Sequence, residues 1–259
     1  MQITSVEVGN LKSSDSPFLF LGLGSCFITH FEKFTQSQNL PYAANPLGTS
    51  FNPISIGRQV EWIFKSDFNL LPLFEHNGSW HQLDAAARFN ATSQADLNAS
   101  LNEQRERIQH HIRSGENHQP VLLVSFGTAH AWYLSDTLVN NCHKLPNDLF
   151  SRSILDVDTI VSYWKNVLKT VPKHWKIVFT VSAVKYSKLG MVQNSLGKSI
   201  LRLAIEQLIQ DYSQCYYFPS FEIITDELRD YSYFKENGTH PTDEAAAIVM
   251  ERFKGFLSL

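Results

Sequence analysis

The chain alternates two kinds of segment when read as a pattern of apolar and polar positions. Four apolar runs stand out: FLFLGLG (18–24), VLLVSFG (121–127), KIVFTVSA (176–183) and CYYFPSFEII (215–224). The first three show little period-two alternation, which predicts strands covered on both faces, as in a parallel sheet. Pro219 interrupts the fourth, so a short strand followed by a loop is expected there. Segments with helical spacing lie at 55–66, 93–115, 156–172, 194–213 and 242–257, and another follows the first run. Ser93 and Asp156 stand at helix starts, and Pro172 marks a stop. Residues 67–92 show no period and read as an irregular insertion or a short hairpin. Strands alternating with helices predict one α/β domain over 1–259, a three-layer α/β/α sandwich with a mainly parallel sheet.

In such a sheet, ligands bind beyond the carboxyl ends of the strands. The strand ends here are Gly24-Ser25-Cys26, Gly127-Thr128-Ala129-His130 and Ser182-Ala183-Val184-Lys185, with the region leading to His240. All are expected to face one crevice.

Composition narrows the classes. The 259 residues are 43% hydrophobic and 18% charged, which suits a globular protein with a large core. A net charge of -3 leaves no electrostatic footprint for nucleic acid. No apolar run approaches the roughly 18 residues a membrane span needs. The opening MQITSVEVGNLKSSDS lacks the basic and apolar parts of a signal peptide. Cys26, Cys142 and Cys215 form no CxxC pair, so a disulfide framework is not suggested and a reducing, cytoplasmic location is expected. No His/Cys set has metal-ligand spacing, so no metal or cofactor is implied and a zinc hydrolase stays a distant reading. His110 and His111 are adjacent and point to different helix faces.

Ser25 and Cys26 sit where a buried strand turns into a helix. Free N–H groups and the helix dipole there favour a thiolate and can hold an oxyanion. The plainer readings are a small buried cysteine and a Ser25 helix cap. His240 lies in a polar loop before Pro241, with Asn237 three residues earlier to orient its ring; the alternative is an idle surface histidine. The loop YAANPLGTSFNPISIG (42–57) carries Asn45, Gly48 and Asn52, as oxyanion donors or as parts of an ordinary connection. His130 and Lys185 follow strand ends and are candidate polar contacts, or a structural histidine and a solvated lysine.

An ordered set of motifs carries a resemblance. GSCF (24–27), NPLGTSFNP (45–53), FGTAHAW (126–132), NCHKLP (141–146), FTVSAVKY (179–186), SLGKSILRLAI (195–205), YFPSFEIITDELRDYSYF (217–234) and HPT (240–242) resemble the GSCFA-domain family over nearly the whole chain. That family is similar to SGNH (GDSL-like) hydrolases, which implies a flavodoxin-like sandwich and an acyl-ester chemistry. The hydrolase block Gly-Asp-Ser-Leu then lies over Gly24-Ser25-Cys26-Phe27, which puts Cys26 at the nucleophile's place. Asp-x-x-His lies over Asn237-Gly238-Thr239-His240, with Asn for Asp. Gly48 takes the glycine block. Gly127-Thr128-Ala129 takes the Gly-x-Asn block and lacks its Asn, for which Asn45, Asn52 or nothing substitutes.

The resemblance implies an esterase or acyltransferase. Its nucleophile is Cys26 or Ser25, its base is His240 and its orienter is Asn237. The substrate is a small acyl ester, such as an acylated carbohydrate. The rival from another class is a non-catalytic binding module with a degenerate site.

Overall fold

The computed structural model describes residues 4–11 and 16–259. Residues 1–3 and 12–15, part of the opening stretch and of the single-domain reading above, lie outside the described residues. The elements in chain order are β1 (Phe18–Gly24), α1 (Ile28–Ser37), β2 (Tyr42–Ala44), α2 (Pro53–Phe64), β3 (Phe74–His76), β4 (Ser79–His81), β5 (Asn90–Ala91) and α3 (Gln94–Arg113). Then follow β6 (Gln119–Phe126), β7 (His130–Leu134), β8 (Thr137–Val139), β9 (Phe150–Ile154), α4 (Val157–Leu168) and β10 (Lys176–Val181). The chain ends with α5 (Met191–Asp211), β11 (Cys215–Tyr217), α6 (Ser220–Glu222) and α7 (Asp243–Leu257).

Five strands form the central sheet in the order β2-β1-β6-β10-β11, and every neighbouring pair is parallel. The three unalternating runs are β1, β6 and β10, side by side. Their lack of alternation has a direct cause, since each strand buries both faces. On β1, Leu19, Leu21 and Leu23 enter a core with Val60 of α2, Trp164 of α4 and Leu201 of α5. Phe18 and Phe20 enter the opposite core with Phe31 of α1 and Phe253 of α7. Burying each such side chain contributes roughly 1.5–3 kcal/mol. The Phe253 ring is a hub, 4.9 Å from both Phe31 and Phe218 and 5.6 Å from Phe34 by centroid.

The helices start where the sequence marks them. Ser93, Asp156 and Thr242 accept from Asp96, Thr159 and Ala245 N–H groups to cap α3, α4 and α7. The helix expected from 194 begins earlier, at Met191, after Gly190. Three expectations change in detail. The fourth apolar run gives only the three residues of β11, and beyond Pro219 the chain is helical rather than a loop, with α6 leading into a π-helical Ile223–Leu228. The irregular 67–92 segment holds an antiparallel β3-β4-β5 sheet. A second antiparallel sheet, β8-β7-β9, was not predicted. Its strands are half-exposed and lack the long apolar run that marks the central ones.

The strand order reverses between β1 and β6. The connection from β1 runs to β2 on one side and that from β6 runs to β10 on the other, which opens a crevice at their carboxyl ends.

Candidate functional site

Gly24 ends β1 with φ 129°, and a Cβ there would lie 2.1 Å from the Ser125 carbonyl oxygen. Only glycine lets β1 approach β6 so closely at the crevice. The next residue, Ser25, is 1% exposed. Its N–H donates to the Ser125 carbonyl at 3.0 Å, and its Oγ lies 2.7 Å from Ser125 Oγ and accepts from Phe27 N–H at 3.3 Å. The Ser25 hydroxyl is thus committed to bracing the turn.

Cys26 follows, half-buried. Among the described residues no acceptor binds its N–H. Tight bonds from Ile28, Thr29 and His30 N–H groups to the Ser25, Cys26 and Phe27 carbonyls lead into α1. The expectation of an easily ionised thiol meets an opposing force. Burial pushes the Cys26 thiol up, and the N–H groups of Cys26 and Phe27 and the charge of Lys198 pull it back only in part.

A cavity of about 240 Å³ opens beyond the strand ends. Of the expected site residues it gathers Ser25, Asn52, Gly127, His130 and Lys185 in its walls. Phe51, Trp132 and Tyr186 add ring surface, and Ser182 ends β10 beside it. Cys26, Asn45, Gly48, Asn237 and His240 stand outside this lining.

The expected oxyanion donors are mostly engaged. Gly48 has φ 82°, and its N–H already donates to the Asn45 carbonyl at 2.8 Å. Gly127 N–H donates to the Phe51 carbonyl at 2.8 Å. Asn45 Oδ1 accepts from Gly24 N–H at 2.8 Å, so it braces β1. Asn52 caps α2, accepting from Ser55 N–H at 2.8 Å and donating to Ser55 Oγ at 3.0 Å. The free N–H at the turn is that of Cys26.

His240 is exposed and paired with Asn237, as expected. Thr239 and His240 N–H groups both donate to Asn237 Oδ1, at 2.9 and 3.1 Å, which fixes the amide's orientation. Asn237 Nδ2 therefore faces His240 Nδ1, at 3.1 Å. Thr239 Oγ1, which donates to Asn237 Oδ1, also lies 3.0 Å from His240 Nδ1, so Nδ1 faces a donor in the amide and an acceptor in the hydroxyl, and either neutral tautomer finds a partner. The loop is tied to the cavity wall, because Lys185 N–H donates to the Thr239 carbonyl at 2.9 Å. The Lys185 ammonium itself stands over Phe234 and Tyr231, 3.7 and 4.5 Å from their centroids. His130 is buried, its Nδ1 3.2 Å from Thr128 Oγ1; burial and Arg152 disfavour its charged form, against a hydrogen bond that the ring donates to Gln193. No helix among the described residues is long and apolar enough to cross a membrane, and no group of three His, Cys, Asp or Glu is placed to hold a metal ion.

One residue behind the lining residues Gly127 and Ser182 has no role assigned from the sequence. Lys198 of α5 is 4% exposed, and its Nζ donates to the Gly127 and Ser182 carbonyls, both at 2.6 Å. Burial pushes its ammonium down to about 7, with Cys26 acting upward. A signal was present: Lys198 lies on the apolar stripe Leu201, Ile205, Leu208, where a lysine is out of place.

A search of curated proteins finds no match. Among solved structures, a carbohydrate esterase family 3 from Talaromyces cellulolyticus aligns over 93% of this chain and 95% of its own, at 6% identity and a TM-score of 0.40, a likeness too loose to assign anything. The GSCFA family model matches residues 19–253. The chain belongs to the GSCFA family.

Proposed function

We infer that the protein is an esterase-type hydrolase of small O-acyl esters with Cys26 as nucleophile and His240 as base. The observation that carries this reading is the division of labour at the β1–α1 turn. Ser25 is buried and hydrogen-bonded, whereas Cys26 is half-exposed with a free N–H, at the strand-order reversal where such folds bind ligands. In the reaction, the Cys26 sulfur bonds to the ester's carbonyl carbon. The carbon–oxygen bond to the alcohol breaks, and the alcohol leaves with the proton the thiol gave up. Water then cleaves the acyl-thioester to a carboxylic acid and the thiol; a second hydroxyl in its place gives an acyltransferase. The Cys26 N–H is the donor for the oxyanion. Phe51 and Trp132 put aromatic surface in the cavity wall, the kind of surface a sugar ring packs against, which supports an acylated carbohydrate.

A specific observation favours a second reading, a non-catalytic binding module. Accepting a proton at Nε2 requires the His240 tautomer protonated on Nδ1, and the acceptor there is the Thr239 hydroxyl rather than a carboxylate, because Asn237 presents its amide nitrogen to that ring atom. Among the described residues no hydrogen bond joins Cys26 to His240. Hydrolysis of p-nitrophenyl acetate separates the readings. Turnover abolished by Cys26→Ala and by His240→Ala supports the hydrolase. Binding of acylated sugars without turnover on a broad ester panel supports the module.

A further inference from the structure

The cavity beyond the strand ends is one-sided in charge. Its walls hold two lysines, Lys185 and Lys188, and no aspartate or glutamate. The chain as a whole runs the other way, with 25 acidic and 22 basic side chains.

A third cation stands at the aromatic wall. Arg152 of β9 pairs with Trp132 of β7 in the antiparallel register, which puts both side chains on one face of the small sheet. The guanidinium carbon lies 5.0 Å from the Trp132 ring centroid, and Nη1 donates to Tyr186 Oη at 3.3 Å. Trp132 and Tyr186 both line the cavity, so two wall residues fasten Arg152 to its rim.

No carboxylate neutralises these groups. Among the described residues the ion pairs leave out Arg152, Lys185 and Lys188. The bond to Tyr186 uses one of the N–H donors of Arg152, and the other donors of the fork bond no protein acceptor among the described residues. Lys185 stands over the Phe234 and Tyr231 rings, which hold an ammonium in place and leave its charge intact. Trp132 does the same for Arg152. Unpaired cations are ordinary on an open surface, where water solvates them. Here they meet aromatic surface at one concave site. A planar guanidinium fixed in this way matches two oxygens of an oxyanion side by side, and a lysine adds a point charge.

We propose that the rim binds an anionic group of the substrate, so that the cavity takes acyl esters of acidic sugars. Arg152 is the fork that holds a carboxylate or phosphate on the sugar, and Lys188 supplies the second charge. The proposal deepens the hydrolase reading and rests on it for the ester. Arg152 and Lys188 select the substrate and take no part in the chemical step.

The test is isothermal titration calorimetry of the full chain with three probes: methyl glucuronide, glucosyl phosphate and the neutral methyl glucoside. At least one acidic sugar should bind about tenfold or more tightly than methyl glucoside, and the tighter of the two names the anion as carboxylate or phosphate. Arg152→Gln should remove about tenfold of that affinity and Lys188→Gln less, with methyl glucoside unmoved. Arg152→Lys keeps the charge without the fork and should recover only part. Arg107→Gln, the same charge change on α3, should leave all three affinities unchanged. Arg152 and Lys188 are exposed, and the comparison of probes on the natural protein stands without any variant. Equal binding of the three probes, binding of none, or a preference for the acidic sugars that survives both Arg152→Gln and Lys188→Gln overturns the proposal. Charge-selective binding in a protein that hydrolyses no ester would uphold the anion site and defeat the hydrolase reading; ester turnover with no preference among the probes would do the reverse.

Discussion

Asp84 and Lys198 are both buried, at 0% and 4% exposure, yet their surroundings differ in kind. Asp84 is answered on the spot. Arg58 Nε lies 2.6 Å from its Oδ1, and Leu71 N–H donates to its Oδ2 at 2.7 Å. Burial pushes the Asp84 carboxyl up, and the Arg58 charge and those bonds pull it down. Among the described residues Lys198 has two carbonyls and no carboxylate as partners. One buried charge is balanced within the scaffold and serves the fold. The other is held by backbone carbonyls alone, at the ends of β6 and β10.

The contrast breaks most sharply at Arg58. Arg58→Met strands a buried carboxylate and should cost about 3–5 kcal/mol of stability, measured by urea unfolding. Adding Asp84→Asn should recover much of that loss, and neither change should alter the rate at which iodoacetamide alkylates Cys26. A pH-independent, small loss in the single variant would show that the pair is not structural.

Lys198 should reveal itself through pH instead. Its folded-state value, about 7, is lowered from the ordinary 10.5 by burial. Below pH 7 both folded and unfolded states hold the proton, and the cost of the buried charge is present in full. Between 7 and 10.5 the unfolded chain holds a proton that the folded one has lost, so folding is favoured as pH rises. The stability of the natural protein minus that of Lys198→Met should therefore grow by up to about 1.4 kcal/mol per pH unit across that window. A flat difference from pH 7 to 10 would mean that Lys198 folds without losing its proton.

The next largest effect bears on His240. Asn237→Asp puts an acceptor against His240 Nδ1 and selects the tautomer with a free Nε2. Ester hydrolysis should rise by about tenfold, roughly 1.4 kcal/mol in barrier. An unchanged rate would remove His240 from the proton path. The smallest effect belongs to Ser25→Ala, which loses the bond to Ser125 at a cost of about 1 kcal/mol in stability with little loss of turnover.

Much of this architecture was legible in the sequence, for identifiable reasons. β1, β6 and β10 bury both faces, so their runs show without alternation, and strand ends follow from them. The caps Ser93 and Asp156 were readable because capping is local. The β7–β9 sheet was not, because its strands are short and half-wet and are specified by pairing rather than by pattern. At the site, Asn237 and His240 could be paired from spacing alone, but the amide's orientation depends on which N–H groups reach Oδ1. Gly48 reads as an oxyanion donor, yet its N–H is used within the turn, and Asn45 turns its Oδ1 to the Gly24 N–H of β1, neither of which composition shows. Lys198 was visible as a misplaced charge on an apolar stripe. Its meaning came only when the structure set it between Gly127 and Ser182.

The central claim is that Cys26 takes the acyl group. Rapid quenching of the protein with p-nitrophenyl acetate, followed by peptide mass spectrometry, tests it most directly. The account predicts an acetyl group on Cys26 that forms in a burst and is lost by hydrolysis. An acetyl group on Ser25 with Cys26 unmodified, or turnover that survives Cys26→Ala, would contradict it.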